Sequence, residues 1–249
     1  MYLESYTEYL VGWIKNMVKK AGASGCIIGI SGGVDSAVCA FLVKKAMHKK
    51  CLAVVMPCHS NPDDESDAMK VINECKIPYV KVDLTSTYDT LISSISELKV
   101  LDKSSEGYKI AIANTKARLR MTTLYSFAKS LNYIVVGTDN ACEWYTGYFT
   151  KFGDGGVDIV PIIGLTKKEV RDVGKILGVP EAIIKRRPTA GLIVDVYDED
   201  ELKVTYEEID NYLLGKKISQ SSVDRIEHLH NISEHKRNLA KSPRLPKRK

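Results

Sequence analysis

No uninterrupted apolar run approaches the roughly 20 residues that a bilayer span requires. The N-terminal stretch MYLESYTEYLVGWIKNMVKK scatters Glu4, Glu8 and Lys15 among its apolar residues, unlike a signal peptide. These two absences exclude a membrane anchor of the helical kind and predict a cytoplasmic protein with no membrane partner. The six cysteines (Cys26, Cys39, Cys51, Cys58, Cys75 and Cys142) never form a C-x-x-C pair, which argues against a zinc site or a thiol-redox motif and leaves reduced, structural thiols. Neither G-x-x-x-x-G-K-[ST] nor G-x-G-x-x-G is present, so mononucleotide P-loop and dinucleotide Rossmann readings lose their main support. Charge of one sign is also scarce. Lys and Arg number 36 against 31 Asp and Glu, and the final KSPRLPKRK alone supplies Lys241, Arg244, Lys247, Arg248 and Lys249. The remainder is neutral, so no nucleic-acid partner is expected, and residues 241–249 are expected to be a disordered tail.

What remains is ordinary in bulk. The 249 residues are 44% hydrophobic and 27% charged, typical of a folded domain that buries about 70–75% of its unfolded surface. No internal repeat or linker divides the chain, which predicts one domain over 1–249. In 2–20, Leu3, Tyr6, Leu10, Trp13, Ile14 and Met17 recur at three- and four-residue steps, the period of an amphipathic helix that Gly22 ends. Apolar runs then alternate with helical patterns. Strands are predicted at 26–30, 52–57, 78–82 and 133–137, with helices near 35–49, 64–76, 86–98 and 108–131. Strands without polar alternation, separated by helices, predict an α/β fold: a doubly wound parallel sheet with helices on both faces. Residues 138–164 read as a site-building connection, and TKKEVRDVGKILG as a further helix. After an acidic, irregular stretch at 187–203, a helical C-terminal region is predicted at about 205–215 and 219–240.

In such sheets ligands bind beyond the carboxyl ends of the strands. Strand CIIGI runs directly into Ser31-Gly32-Gly33-Val34-Asp35-Ser36 and then a helix. Two glycines at a strand-to-helix turn let backbone N–H groups converge on an anion, and the helix N-terminus adds about 0.3–1 kcal/mol. Asp35 would repel a phosphate unless a divalent cation bridges them, so the loop points to Mg²⁺ as well as phosphate. The alternative is a tight turn in which Asp35 only starts the helix. A second cluster, GTDNACEWYTGYFTKFGDGGVDIVPI, follows strand YIVVG. Glu143 is a second carboxylate for a hard cation, Lys151 a point charge for a phosphate or carboxylate, and Tyr145, Tyr148, Phe149 and Phe152 are able to stack on a ring. Taken singly, these residues fit core packing or surface pairing equally well.

The loop S-G-G-x-D-S resembles the pyrophosphate loop of the N-type ATP pyrophosphatases, which cleave ATP between the α- and β-phosphates. The second cluster is similar to the signature of one branch, the NAD synthetase family: G-T-x-N-x-x-E-W followed by G-Y-F-T-K-[YF]-G-D-G-G-x-D-I-x-P. The likeness continues through L-T-K (165–167), L-G-V-P-E (177–181), R-P-T-A-G-L (187–192), D-E-D-E-L (198–202), T-Y-E-E-I-D (205–210) and H-K-R (235–237). It implies an adenine nucleotide alpha hydrolase-like fold and an ATP-dependent carbon–nitrogen ligase. In that reaction the nicotinate carboxylate of nicotinic acid adenine dinucleotide (deamido-NAD) attacks the α-phosphorus of ATP. Ammonia then displaces AMP to give NAD.

Position by position, the resemblance implies that Gly29, Ile30, Ser31, Gly32, Gly33, Val34, Asp35 and Ser36 cradle ATP, with Thr138, Lys167 and Thr189 also contacting it. Asp35 and Glu143 would hold Mg²⁺, and Asp35, Glu143, Lys167 and Thr189 would form the catalytic set. Deamido-NAD would be bound by Arg118, Lys151, Asp158, His235 and Lys236. A homodimer packed through the long helix 108–131 is implied too, although Ile110, Leu119, Leu124, Tyr125 and Phe127 would equally suit packing on the chain's own sheet. Only about 25 residues precede the first strand, so free ammonia, not a fused glutaminase, is the expected nitrogen donor. One departure stands out: after Leu192 the family continues W-x-G-Q-T-D-E, whereas Ile193-Val194-Asp195-Val196-Tyr197 stand here, in a loop that covers the site in the family. The competing readings are a tRNA-modifying ATP pyrophosphatase, motivated by the basic tail, and a nucleotide-binding protein without turnover, motivated by the altered loop.

Overall fold

The computed structural model describes residues 2–98, 100–192 and 196–243. Helix α1 (Tyr2–Lys20) ends at Gly22, whose φ of 62° lets the chain reverse into β1 (Gly25–Gly29). There follow α2 (Val34–Met47), β2 (Cys51–Val55), α3 (Pro62–Cys75), β3 (Tyr79–Lys81), α4 (Thr85–Ser96), α5 (Glu106–Leu131) and β4 (Tyr133–Val136). The four strands are parallel in the order β3-β2-β1-β4, with Cys26 opposite Cys51 on one side and Ile134 on the other. The chain thus winds outward from β1 to β3 and returns to the opposite side of β1. That reversal opens a crevice between the carboxyl ends of β1 and β4.

Strand periodicity sorts the core. Cys26, Ile28, Ala53, Val55, Ile134 and Val136 face the layer containing α1, α2, α3 and α7 (Lys167–Leu177), while Ile27, Val54 and Val135 face α4 and α5. Ile27 and Ile28 are both fully buried, each worth about 1.5–3 kcal/mol, so the sheet is clamped from both faces, as its unalternated strands require. The remaining helices are α6 (Ala141–Thr146), α8 (Glu181–Lys185), α9 (Asp198–Leu202), α10 (Tyr206–Leu213) and α11 (Gln220–Ile232). A separate small core of Cys142, Leu202, Val204, Tyr206, Ile209 and Ile226 joins α6 to the C-terminal helices. This is the doubly wound α/β fold that the strand pattern predicts, with its helical C-terminal region.

The strands end earlier than their apolar runs. Ile30, whose N–H still donates to the Val54 carbonyl at 3.0 Å, Met56, Pro57 and Gly137 lie just past the strand ends and line the crevice. Helix α5 begins two residues before its expected start because the Ser105 hydroxyl accepts the Tyr108 N–H at 3.2 Å. Residues 219–240 are not one helix: α11 stops at Ile232, where Ser233 turns its hydroxyl onto the Leu229 carbonyl at 2.6 Å, and a single 3₁₀ turn follows at 234–236. Within 138–164, read as irregular, the Asn140 cap initiates α6. The residues of the family departure at 193–195 and the tail at 244–249 lie outside the described residues.

Candidate active site

The crevice is bounded on one side by the turn after β1. Gly32 adopts φ 85°, and a Cβ there would stand 2.6 Å from the Asp64 carbonyl oxygen, so only glycine lets this turn lie against α3. Ser36 donates to the Gly33 carbonyl at 3.0 Å and pairs with the Ser31 hydroxyl at 3.0 Å, which locks the loop into a closed ring. Gly33, the N-cap of α2, supplies no side chain to its first N–H groups. The first N–H groups of a helix open on a crevice are suited to an anion.

Opposite this cradle lies a carboxylate–ammonium cluster assembled from distant segments. Lys167, 1% exposed at the start of α7, places its Nζ 2.6 Å from Asp35 Oδ2 and 3.1 Å from Glu143 Oε1. The same ammonium lies 4.5 Å above the Tyr206 ring. Burial works against the lysine's charge, but the two carboxylates outweigh it, so its pKa is raised and the group stays cationic. Burial pushes Glu143 up to about 7, against the pull of Lys167 and with the repulsion of Asp35 adding to it. The whole arrangement holds because each oxygen is directed. Asn140 donates its side-chain amide to Asp35 at 2.8 Å and its backbone N–H to Glu143 at 3.1 Å, while Tyr206 O–H reaches Glu143 at 3.2 Å and Asp198 at 2.8 Å.

Two elements aim these groups. Asn140 and Glu143 form a reciprocal capping box on α6, and Thr166 and Glu169 form another on α7, so Glu143 and Lys167 each project from a defined first turn. Asp210 of α10 accepts the backbone N–H groups of Lys167 and Lys168, both at 2.9 Å, and the Cys142 thiol at 2.8 Å. It therefore stitches α7, α10 and α6 together directly beneath the lysine.

A cavity of about 260 Å³ opens over the cluster. Of the residues expected to touch ATP, Gly29, Ile30, Ser31, Gly33, Val34, Asp35, Ser36, Thr138, Lys167 and Thr189 line it, as does Glu143; Gly32 sits behind the wall against α3. Among the four aromatic candidates only Tyr148 lines the cavity. Tyr145 stacks on His230, Phe149 on Trp144, and Phe152 is exposed. The dinucleotide set divides. Arg118 donates to the Lys151 carbonyl at 3.4 Å, Lys151 Nζ to the carbonyls of His235 and Asn238, and Lys236 to those of Gly147 and Phe149, so four of the five gather in one basic region outside the cavity. Asp158 is engaged elsewhere, accepting the Val135 N–H at 2.7 Å and the Tyr125 hydroxyl at 3.0 Å.

Residue-by-residue sequence reasoning assigned no site role to Asn140, Asp210, Asp139 or Arg120. The N-x-x-E spacing of Asn140 and Glu143 is a readable capping signal; Asp210 closes the T-Y-E-E-I-D stretch of the family likeness, but its partners, 42 and 43 positions away, are not readable from it. Asp139 is 4% exposed on the cavity wall, and its Oδ2 has no partner among the described residues; burial holds this carboxyl well above its ordinary value. Arg120 reaches from α5 to the Met56 carbonyl at 3.1 Å and Ser60 at 3.2 Å, bracing the turn after β2.

The donor set suits a hard divalent cation. Asp35 and Glu143 put two carboxylates on the cavity wall, and the buried Asp139 Oδ2 beside them has no hydrogen-bond partner among the described residues. Two protein carboxylates suffice for Mg²⁺ when nucleotide phosphates complete its shell.

A glycine turn at the start of α2 facing a buried lysine held between two carboxylates, with no P-loop lysine, places the site of this α/β protein at the switch point of a doubly wound parallel sheet. Within that fold class the chain belongs to the NAD synthase family, which it matches over residues 6–240. It is 51% identical to an NH₃-dependent NAD⁺ synthetase of Mesoplasma florum, with 100% of each chain covered. Among solved structures, an NMN synthetase from Francisella tularensis superposes with a TM-score of 0.91 at 40% identity, covering 98% of this chain and 99% of the other. The NH₃-dependent NAD synthetase of Campylobacter jejuni, in complex with the nitrate ion, gives 0.79 at 26% identity, covering 98% and 100%.

Proposed function

We propose that this protein is an ammonia-dependent ligase that makes NAD from deamido-NAD and ATP, releasing AMP and pyrophosphate. The observation that carries the reading is Lys167, buried between Asp35 and Glu143 across the crevice from the free amides of α2. Negative charge grows on the pyrophosphate leaving group as the carboxylate attacks the α-phosphorus. The α2 amides and the Lys167 ammonium are fixed donors for that charge, which need no reorganisation as it develops. Asp35 and Glu143 would hold Mg²⁺, which when bound neutralises phosphate charge. Thr138 and Thr189 offer hydroxyls along the cavity, Arg118, Lys151 and Lys236 supply cations for the phosphates and carboxylate of the second substrate, and His235 adds a ring nitrogen beside them. A cytoplasmic location fits the family resemblance; separately, no helix among the described residues is long and apolar enough to cross a membrane. The protein pairs as a homodimer through the long helix α5, on which Ile110 is exposed, and light scattering checks this by reading twice the 27.7 kDa of one chain.

A second substrate has a specific observation behind it, because the neighbour with a TM-score of 0.91 is an NMN synthetase. The same adenylation and amidation would then act on nicotinic acid mononucleotide. The test is one set of reactions containing ATP, Mg²⁺ and either deamido-NAD or the mononucleotide, with ammonium or glutamine as nitrogen donor, and with AMP and ADP quantified. NAD with equimolar AMP from deamido-NAD and ammonium is the expected outcome. A higher kcat/KM for the mononucleotide transfers the assignment to that substrate, and ADP in place of AMP overturns the pyrophosphatase chemistry.

A further inference from the structure

Residues 186–192 cross the mouth of the cavity without regular structure and carry Thr189 at their centre. Most of their hydrogen bonds cannot hold them there. Thr189 donates to the Val196 carbonyl and accepts the Gly191 N–H, so both bonds stay within the same stretch of chain. Arg187 pairs with Asp200 and stacks on Tyr197, and the Pro188 carbonyl accepts the Asp198 N–H; these tie the segment to α9, the element that follows it. Among the described residues, two hydrogen-bonded links join it to the helices that cover the sheet. Arg186 binds Asp64 and Asp67 of α3, and Lys116 of α5 donates its Nζ to the Leu192 carbonyl at 2.8 Å.

Lys116 is an unusual residue for that place. It is 8% exposed, and no carboxylate among the described residues pairs with it. Its ammonium also lies over the face of Tyr88, 5.6 Å from the ring centroid, and burial pushes its pKa down. An apolar side chain would fill the space without the desolvation of an ammonium, so the charge is costly unless the carbonyl it holds matters. It does not line the cavity, whereas its neighbours Ala117 and Arg120 on α5 do.

We propose that Lys116 is a positioning residue: its buried ammonium fastens the 186–192 strap to α5 and so presents Thr189 to the bound nucleotide. That the nucleotide is ATP rests on the function proposed above. Arg186 and Lys116 hold the strap from opposite sides of the cavity, and loss of either frees one end.

The test compares full-length wild type with Lys116→Met and Lys116→Arg. Trypsin nicking after Lys185 or Arg186, identified by mass, reads release of the strap without any turnover, with and without α,β-methylene-ATP. Steady-state kinetics read ATP KM and kcat separately. Removing a charged donor should raise nicking and ATP KM by about tenfold, with kcat within about twofold, and Lys116→Arg should restore both. Nicking and KM within twofold of wild type in Lys116→Met would overturn the proposal, as would an Arg variant no better than Met. Should Lys116→Met fail to fold, Lys116→Gln, which keeps a polar end on a slightly shorter side chain and removes the charge, is judged by the same two measurements. Because nicking needs no product, a wild type that makes no NAD would sink the proposed function and leave this test standing.

Discussion

Lys167 is the residue on which the cluster balances. Its side chain is 2% exposed, and those of Asp35 and Glu143 are 17% and 13% exposed, so solvent does little to screen their mutual repulsion when the lysine is gone. Removing one member of a buried ionic group leaves the others uncompensated, typically at a cost of about 3–5 kcal/mol. Glu143, already pushed up to about 7, relieves part of that by taking a proton. Lys167→Met should therefore lose activity and also melt roughly 5–10 °C lower at pH 8, with a smaller deficit at pH 6, where Glu143 protonates more readily. Thermal unfolding at the two pH values checks this; an equal deficit at both would show that carboxylate repulsion is not the cause.

At the scale of elements, the first turn of α6 does two things with one side chain. The Asn140 oxygen caps the Cys142 and Glu143 N–H groups, and its amide nitrogen holds Asp35. Asn140→Ala should cost about 1 kcal/mol of cap energy and most of the activity. Asn140→Asp separates the two roles, since a carboxylate caps as well as the amide but turns an anion toward Asp35. Because Asn140 is fully buried, the new carboxylate should also lower melting beyond the Ala variant, with at least tenfold lower kcat, and full activity in Asn140→Asp would reject the orienting role. The contrast also shows what was legible beforehand. The turn from β1 into α2 could be read because its residues are contiguous and its pattern is local: strand, two glycines, helix. Glu143 and Lys167 stood out as charges in the family's pattern. The bonds that aim them could not be read, because Asn140 meets Asp35 across 105 positions and Lys116 meets Leu192 across 76. Helix boundaries slipped for a related reason. Ser105 and Ser233 settle them by side-chain bonds to the backbone, which apolar periodicity does not record.

Across the whole molecule the six thiols share one state. Cys26, Cys39, Cys51, Cys58, Cys75 and Cys142 are all buried and unpaired, spread through the main core, the α4–α5 side and the C-terminal cluster. Burial raises every one of them, Cys26 and Cys75 to about 12 from an ordinary value near 9. The folded chain therefore keeps protons that the unfolded chain sheds above pH 9, and stability falls with rising pH wherever the native state binds more protons. Each of these two thiols contributes about 1.4 kcal/mol of loss per pH unit between about 9 and 12. Lys167 adds in the same direction: its raised pKa gives stability that is complete below about 10.5 and declines only above it. Melting temperature should accordingly hold between pH 7 and 8.5 and drop steeply by pH 10.5, while iodoacetamide at pH 8 labels no cysteine until denaturant is added and then labels all six. Both readouts follow from the same buried, protonated sulfurs, so labelling of the native protein at pH 8, or a melting temperature flat to pH 10.5, would contradict the packing of the core and not merely one side chain.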